Sequence, residues 1–161
     1  MKLIGILIAL IALVGGGWLL STQEQESKPI DTSARFNESS GDINEARVEV
    51  YDGISIAKST RILILSGRGL SGSLKAEVRN LTELEQLDLS NNDFTGLPAE
   101  VGQLSKLRIL NLSNNPFTGL PYELGNLKNL EVLDLRGTQY ANQDLEVIKE
   151  GLSPDVTILK D

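Results

Sequence analysis

The sequence contains neither cysteine nor histidine. Without cysteine there can be no disulfide, no thioester chemistry, no cysteine-capped repeat terminus and no lipidated cysteine anchor. The absence of histidine removes the commonest general base and the commonest metal ligand together. Aromatic residues make up only 4% of the chain, so a core must be built from aliphatic side chains. Positive charge is also scarce, with Lys and Arg numbering 15 against 22 acids. No stretch is basic enough to track a phosphate backbone, which argues against nucleic acid as a partner.

What is present divides into three segments. Leu3 to Leu20 is an uncharged run of 18 residues, preceded only by Met1 and Lys2. As a helix it would measure about 27 Å, close to the roughly 30 Å of a bilayer's hydrocarbon core. Trp18 stands near its far end, where an indole favours the membrane interface. A cleaved signal peptide is the competing reading, with small residues at Gly15 to Gly17. No Ala-x-Ala site is present, however, and apolar character continues through Leu19 and Leu20. Residues 1–20 are therefore expected to be a transmembrane signal anchor, holding the chain at the cell membrane through residues 3–20; secretion after cleavage is the alternative. Lys2 on the short side, against Glu24 and Glu26 beyond the run, favours an N-terminus inside and a domain outside. Gly5 and Ala9 have the spacing that lets two such helices pack closely.

Residues 21–45 are rich in Ser, Glu, Gln and Asp, and Lys28 and Arg35 face an excess of acids. A stretch with so little to bury cannot offset its ordering entropy, so a disordered polar stalk is expected. Its span would be about 25–30 Å. Asn37-Glu38-Ser39 reads as a glycosylation sequon, as do Asn80-Leu81-Thr82 and Asn111-Leu112-Ser113.

The body, residues 46–161, repeats itself. LTELEQLDLSNNDFTGLPAEVGQ begins at Leu81, and LSKLRILNLSNNPFTGLPYELGN begins 23 residues later at Leu104. LKNLEVLDLRGTQY follows at Leu127 after the same interval. An earlier copy, STRILILSGRGLSGSLKAEVRN, matches at an offset of 24, with Thr60 where later copies have Leu84, Leu107 and Leu130. The pattern LxxLxLxxN at Leu84–Asn92 and Leu107–Asn115 resembles the leucine-rich-repeat signature. Its continuation, FTGLPxExGxL, resembles the 23-residue class of Ras-suppressor and Scribble-like repeats, also common in bacterial proteins. That resemblance implies an α/β fold: a short solenoid with a parallel sheet on its concave face and extended or short helical segments on its convex side.

Each position has a physical reading. Strand alternation sends Leu87 and Leu89 inward and leaves Gln86, Asp88 and Ser90 outward. Asn92 and Asn115 turn the chain, and their amides can satisfy buried backbone groups. Leu70, Phe94, Phe117 and Tyr140 recur at one position and should stack as a spine. Leu97-Pro98 and Leu120-Pro121 mark extended backbone, and Val101 with Leu104, and Leu124 with Leu127, close the layers. Solenoid ends need covers. A hairpin from Val48 to Ile56 around Asp52-Gly53 is expected at one end. At the other, a helix after Asn142, with Leu145, Ile148 and Leu152 on its apolar face and Gly151 just beyond it, should precede a final strand, Val156 to Leu159.

In-register stacking builds three columns on the concave wall. They are Ile62, Gln86, Ile109 and Val132; Ile64, Asp88, Asn111 and Asp134; and Ser66, Ser90, Ser113 and Arg136. Aliphatic residues on neighbouring strands form a patch facing water. The expected partner-binding set is Ile62, Gln86, Asp88, Ile109, Asn111, Val132, Asp134 and Arg136, taking a protein or peptide ligand. Asp88, Asn111 and Asp134 could align oxygens for Ca²⁺, but the plainer reading is two solvated carboxylates separated by an amide. Arg61, Glu85, Arg108 and Glu131 alternate in sign beside them. No catalytic group, cofactor or resident metal is expected, and the domain should be monomeric. A membrane-anchored recognition or scaffolding module outside the cytoplasm, in a bacterium, is the leading expectation. The alternatives are a structural envelope protein self-associating through solenoid edges and a signalling scaffold on the cytoplasmic side.

Overall fold

A computed structural model describes residues 45–161. The expected anchor at 1–20, and the stalk up to residue 44, lie outside the described residues. Among the described residues no helix is long and apolar enough to cross a membrane.

The described chain opens with an antiparallel hairpin, β1 (Arg47–Tyr51) and β2 (Ile54–Ala57), turning at Asp52-Gly53. Val48 and Val50 are buried on β1, and Ile56 on β2. Strict alternation along both arms would not place every apolar residue on one face. A bulge between Glu49 and Tyr51 resolves the conflict, because an extra unpaired residue bends the strand and re-aims the side chains beside it. The Tyr51 ring is thereby free to meet Phe94 edge to face, with centroids 5.9 Å apart. Its hydroxyl donates to the carbonyl of Ser71 at 2.8 Å. The hairpin is thus locked onto the first layer by both packing and hydrogen bonding.

The repeats follow. Strand β3 (Ile62–Ile64) begins the first, and β4 (Ser71–Gly72) follows it; β5 (Gln86–Asp88) and β6 (Asp93–Phe94) hold the same places in the second. The third and fourth begin with β7 (Ile109–Asn111) and β8 (Val132–Asp134). A helix, α1 (Asn142–Gly151), and a last strand, β9 (Thr157–Leu159), finish the chain. The main sheet is parallel in the order β3-β5-β7-β8-β9, and β4 pairs with β6 in a small second sheet. Register is unbroken across the main sheet: Leu63, Leu87, Leu110, Leu133 and Ile158 lie side by side. The first four are sealed from water, and burying a leucine stabilises by roughly 1.5–3 kcal/mol. A second tier of Leu65, Leu89, Leu112 and Leu135 is equally buried. Phe94 and Phe117 are fully buried behind the turn, and Leu70 and Tyr140, at the same repeat position, are partly buried against the same core.

On the opposite side the chain returns through 3₁₀ turns at Ala76–Asn80, Ala99–Gln103 and Tyr122–Asn126. Pro98 and Pro121 stand immediately before the second and third, where a fixed φ launches the turn and the missing N–H costs nothing. The turns pack so tightly that a Cβ on Gly102 would sit 2.2 Å from the backbone oxygen of Glu123. Only glycine fits there. In the last layer α1 replaces the 3₁₀ turn and runs through Gly151, which is its final residue and not the one beyond it. Leu145 and Ile148 cover the end of the core, and Asp144 accepts the Leu120 N–H at 3.1 Å.

The serine column also differs from expectation. Ser90 and Ser113 do not form an outward column: both are buried. The ladder runs on through them, with Gly67 N–H donating to the Ser90 carbonyl and Asn91 N–H to that of Ser113, and neighbouring side chains cover their hydroxyls. Ser90 Oγ lies 2.9 Å from Ser66 Oγ, and Ser113 Oγ donates to Asn111 at 2.8 Å.

Candidate binding face

The turns after the strands fix the geometry of the face. Asn92 Nδ2 donates to the carbonyls of Leu65, Leu89 and Ser90, while its Oδ1 accepts from the N–H groups of Arg68 and Leu70. Asn115 repeats the arrangement one layer on, bonding Leu89, Leu112 and Ser113 and accepting from Phe94. One buried amide therefore stitches two adjacent layers, which holds neighbouring strands in register.

Register then sets two rows on the outward face. The first is Ile62, Gln86, Ile109, Val132 and Thr157; the second is Ile64, Asp88, Asn111, Asp134 and Leu159. Adjacent strands are about 4.8 Å apart. Ile62, Ile64 and Ile109 remain 53%, 44% and 36% exposed, the most exposed aliphatics of the sheet. Val132 and Gln86 are half-buried. Thr157 and Leu159 extend both rows by one strand. They escape sequence comparison because the chain reaches β9 through a helix, which breaks the 23-residue period.

The polar row is built by one device used three times. Asp88 Oδ1 accepts the Ser90 N–H at 2.9 Å, Asn111 Oδ1 that of Ser113 at 3.1 Å, and Asp134 Oδ1 that of Arg136 at 3.1 Å. Each side chain caps the backbone two residues on, which is how Asp and Asn stabilise turns. Asp134 is not a solvated carboxylate as expected. It is only 6% exposed, because Arg136 folds back over it with Nη2 2.5 Å from Oδ2. That hydrogen bond, aided by the backbone bond from Arg136, holds the Asp134 carboxyl below its ordinary range despite the opposing effect of burial. Among the described residues no cluster of three carboxylates converges as a metal site would require.

Along the flank, Arg61 pairs with Glu85 and Arg108 with Glu131, at 2.5 and 2.8 Å. The ladder closes two direct pairs, with Glu85 also acting on Arg108 at longer range, and its exposed members add only about 0–1 kcal/mol each. Of the expected site residues, seven lie on the outward rows. The eighth, Arg136, lies just past β8 and is spent on Asp134.

A family model described as a leucine-rich repeat region matches residues 58–152. No curated protein matches the chain. Among solved structures, a leucine-rich-repeat protein of Leptospira interrogans is 41% identical over 54% of this chain and 22% of that one, with a TM-score of 0.50. The leucine-rich-repeat ectodomain of the receptor kinase SOBIR1 from Arabidopsis thaliana is 29% identical over 62% of this chain and 54% of that one, with a TM-score of 0.51. A plant ice-binding protein is 27% identical over 63% of this chain and 33% of that one, with a TM-score of 0.54. The chain spans between about a fifth and a half of these relatives' lengths.

Proposed function

The chain belongs to the leucine-rich-repeat family, and on that premise we propose that its outward sheet face recognises a protein or peptide partner at short range from a membrane. The observation that carries this reading is the exposure of Ile62 and Ile64 on β3 and of Ile109 on β7, beside Val132, with Gln86 and Asp88 of β5 between them. Exposed aliphatic side chains beside a polar row, with charged pairs along the flank, have the mixed make-up of a protein interface. The receptor-kinase ectodomain among the similar structures supports recognition. The ice-binding relative is a reminder that the fold serves unlike tasks, so the site must carry the argument. The repeats are of the 23-residue LPxExGxL class. The hydrophobic run at residues 3–20 anchors them, the polar stretch to residue 45 spaces them from the lipid, and the folded part faces away from the cytoplasm. The role is recognition without catalysis, since the chain has no histidine or cysteine to activate a nucleophile.

A photo-crosslinking residue at position 109 should trap a partner in cells, and the same residue at the exposed position 122, on the 3₁₀ side, should not. Ile109→Glu should leave the fold intact, because the side chain already meets water, yet abolish the interaction, because a charge in a desolvated contact is costly. Adducts from position 122 alone would overturn the reading. A second reading, self-association through sheet edges, draws on β3 and β9 each pairing on one side within the sheet. It predicts oligomers that Ile109→Glu does not dissolve.

A further inference from the structure

Asp88 is the feature of this face that folding does not account for. Its carboxylate caps the Ser90 N–H, but that bond needs no charge. Asn111, in the equivalent place one repeat later, makes the same bond to Ser113 with a neutral amide. Asp134, one repeat further on, carries a charge and uses it on Arg136. Beside the face, Glu85 and Glu131 are each paired with an arginine. Asp88 has no ion-pair partner among the described residues. It lies beside Ile64 and shares β5 with Gln86, which is flanked by Ile62 and Ile109. Ile64 therefore stands directly beside one unpaired anion whose other neighbour is Asn111, and Ile62 and Ile109 lie diagonally from it in the next row.

That placement has a direct consequence for any occupant. A neutral apolar segment covering the three isoleucines would also strip water from Asp88 and leave its charge uncompensated. A segment that brings its own cation converts the same penalty into an attraction, which is how specificity is built against neutral competitors. Building on the reading above, we infer that this face takes an extended apolar segment of a partner protein bearing one lysine or arginine, whose cation pairs with Asp88.

The test uses the full chain in detergent micelles and, as probe, a library of random twelve-residue peptides displayed on phage. The wild type should select peptides in which Lys or Arg is flanked by aliphatic or aromatic residues. Asp88→Asn reproduces the Asn111 arrangement and keeps the turn bond, so the fold is retained. It should bind the selected lysine peptides roughly tenfold or more weakly, as loss of one partner of a desolvated charge pair does. Asp88→Lys should turn the selection toward Asp and Glu. Ile109→Glu separates the two levels of the argument. If it still selects the wild-type peptides, the sheet face is not the site and the function proposed above fails. If it loses them, but wild type and Asp88→Asn select the same sequences with no preference for cations, the face stands and the Asp88 inference falls. Sedimentation that shows wild-type dimers, dissolved by Asp88→Asn, would place a second copy on the face and overturn an external partner.

Discussion

At the scale of single residues, a polar side chain in this chain earns its place by what it bonds two residues away or one layer away. Asp134 does both, capping Arg136 N–H and receiving the guanidinium of the same residue. Its depressed carboxyl value sets the sign of a pH effect. The stabilisation is complete above the unfolded value of about 4 and is lost as pH falls through the lower folded value. Thermal melts should therefore show wild type more stable than Asp134→Asn at neutral pH, with the two converging under strong acid. A gap that stays constant with pH would contradict the assigned pair. This residue also marks a limit of what the sequence discloses. Asn92 and Asn115 could be read as buried bonding groups because an uncharged amide recurs after a run of leucines. The burial of Asp134 could not be read, because it depends on Arg136 folding back, and nothing in a repeat pattern prescribes that rotamer. The burial of Ser90 is illegible for a related reason, since its hydroxyl is covered by Ser66 of the preceding layer and by the Asn91 amide.

At the scale of elements, each short strand is stable only because its neighbours complete it. Leu110 lies at the centre, between Leu87 and Leu133, and is fully buried. Leu110→Ala should cost about 2–5 kcal/mol by opening a cavity in a dry layer. Lys106→Ala breaks only an exposed pair with Glu83 and should cost at most about 1 kcal/mol. Equal denaturant midpoints for the two variants would refute the inward face. The strands, their register and the closing helix were legible in the sequence because leucines recur at fixed intervals and the helix carries its own apolar stripe. The bulge in β1 was not, for a bulge is an arrangement between two strands and leaves no mark on either alone. The 3₁₀ character of the returns was only half legible. Pro98 and Pro121 announce a change of direction, but the tightness of the turn follows from the contact between Gly102 and the layer behind it.

At the scale of the whole molecule, the proposed placement rests on residues 1–20 and is tested without reference to the fold. A reporter fused after Asp161 should be active only outside the cytoplasm, and the mature protein should retain Met1 to Leu20. Strong cytoplasmic reporter activity would reverse the orientation, and a mature protein starting near Trp18 would establish cleavage. The asparagine stitch has a consequence at this scale as well. Asn92 reaches back to Leu65 and Asn115 to Leu89, but at the corresponding place in the next layer Thr138 donates to Leu135 of its own turn. There the boundary is crossed by backbone bonds, from Leu112 N–H to Asp134 O and from Asn114 N–H to Arg136 O. Side chains join the third and fourth layers at other points, from the Asn129 amide to the Ser105 carbonyl and from the Leu120 N–H to Asp144, so the fourth layer can be exchanged for a differently built closing layer without removing a bond from the buried seam of the first three.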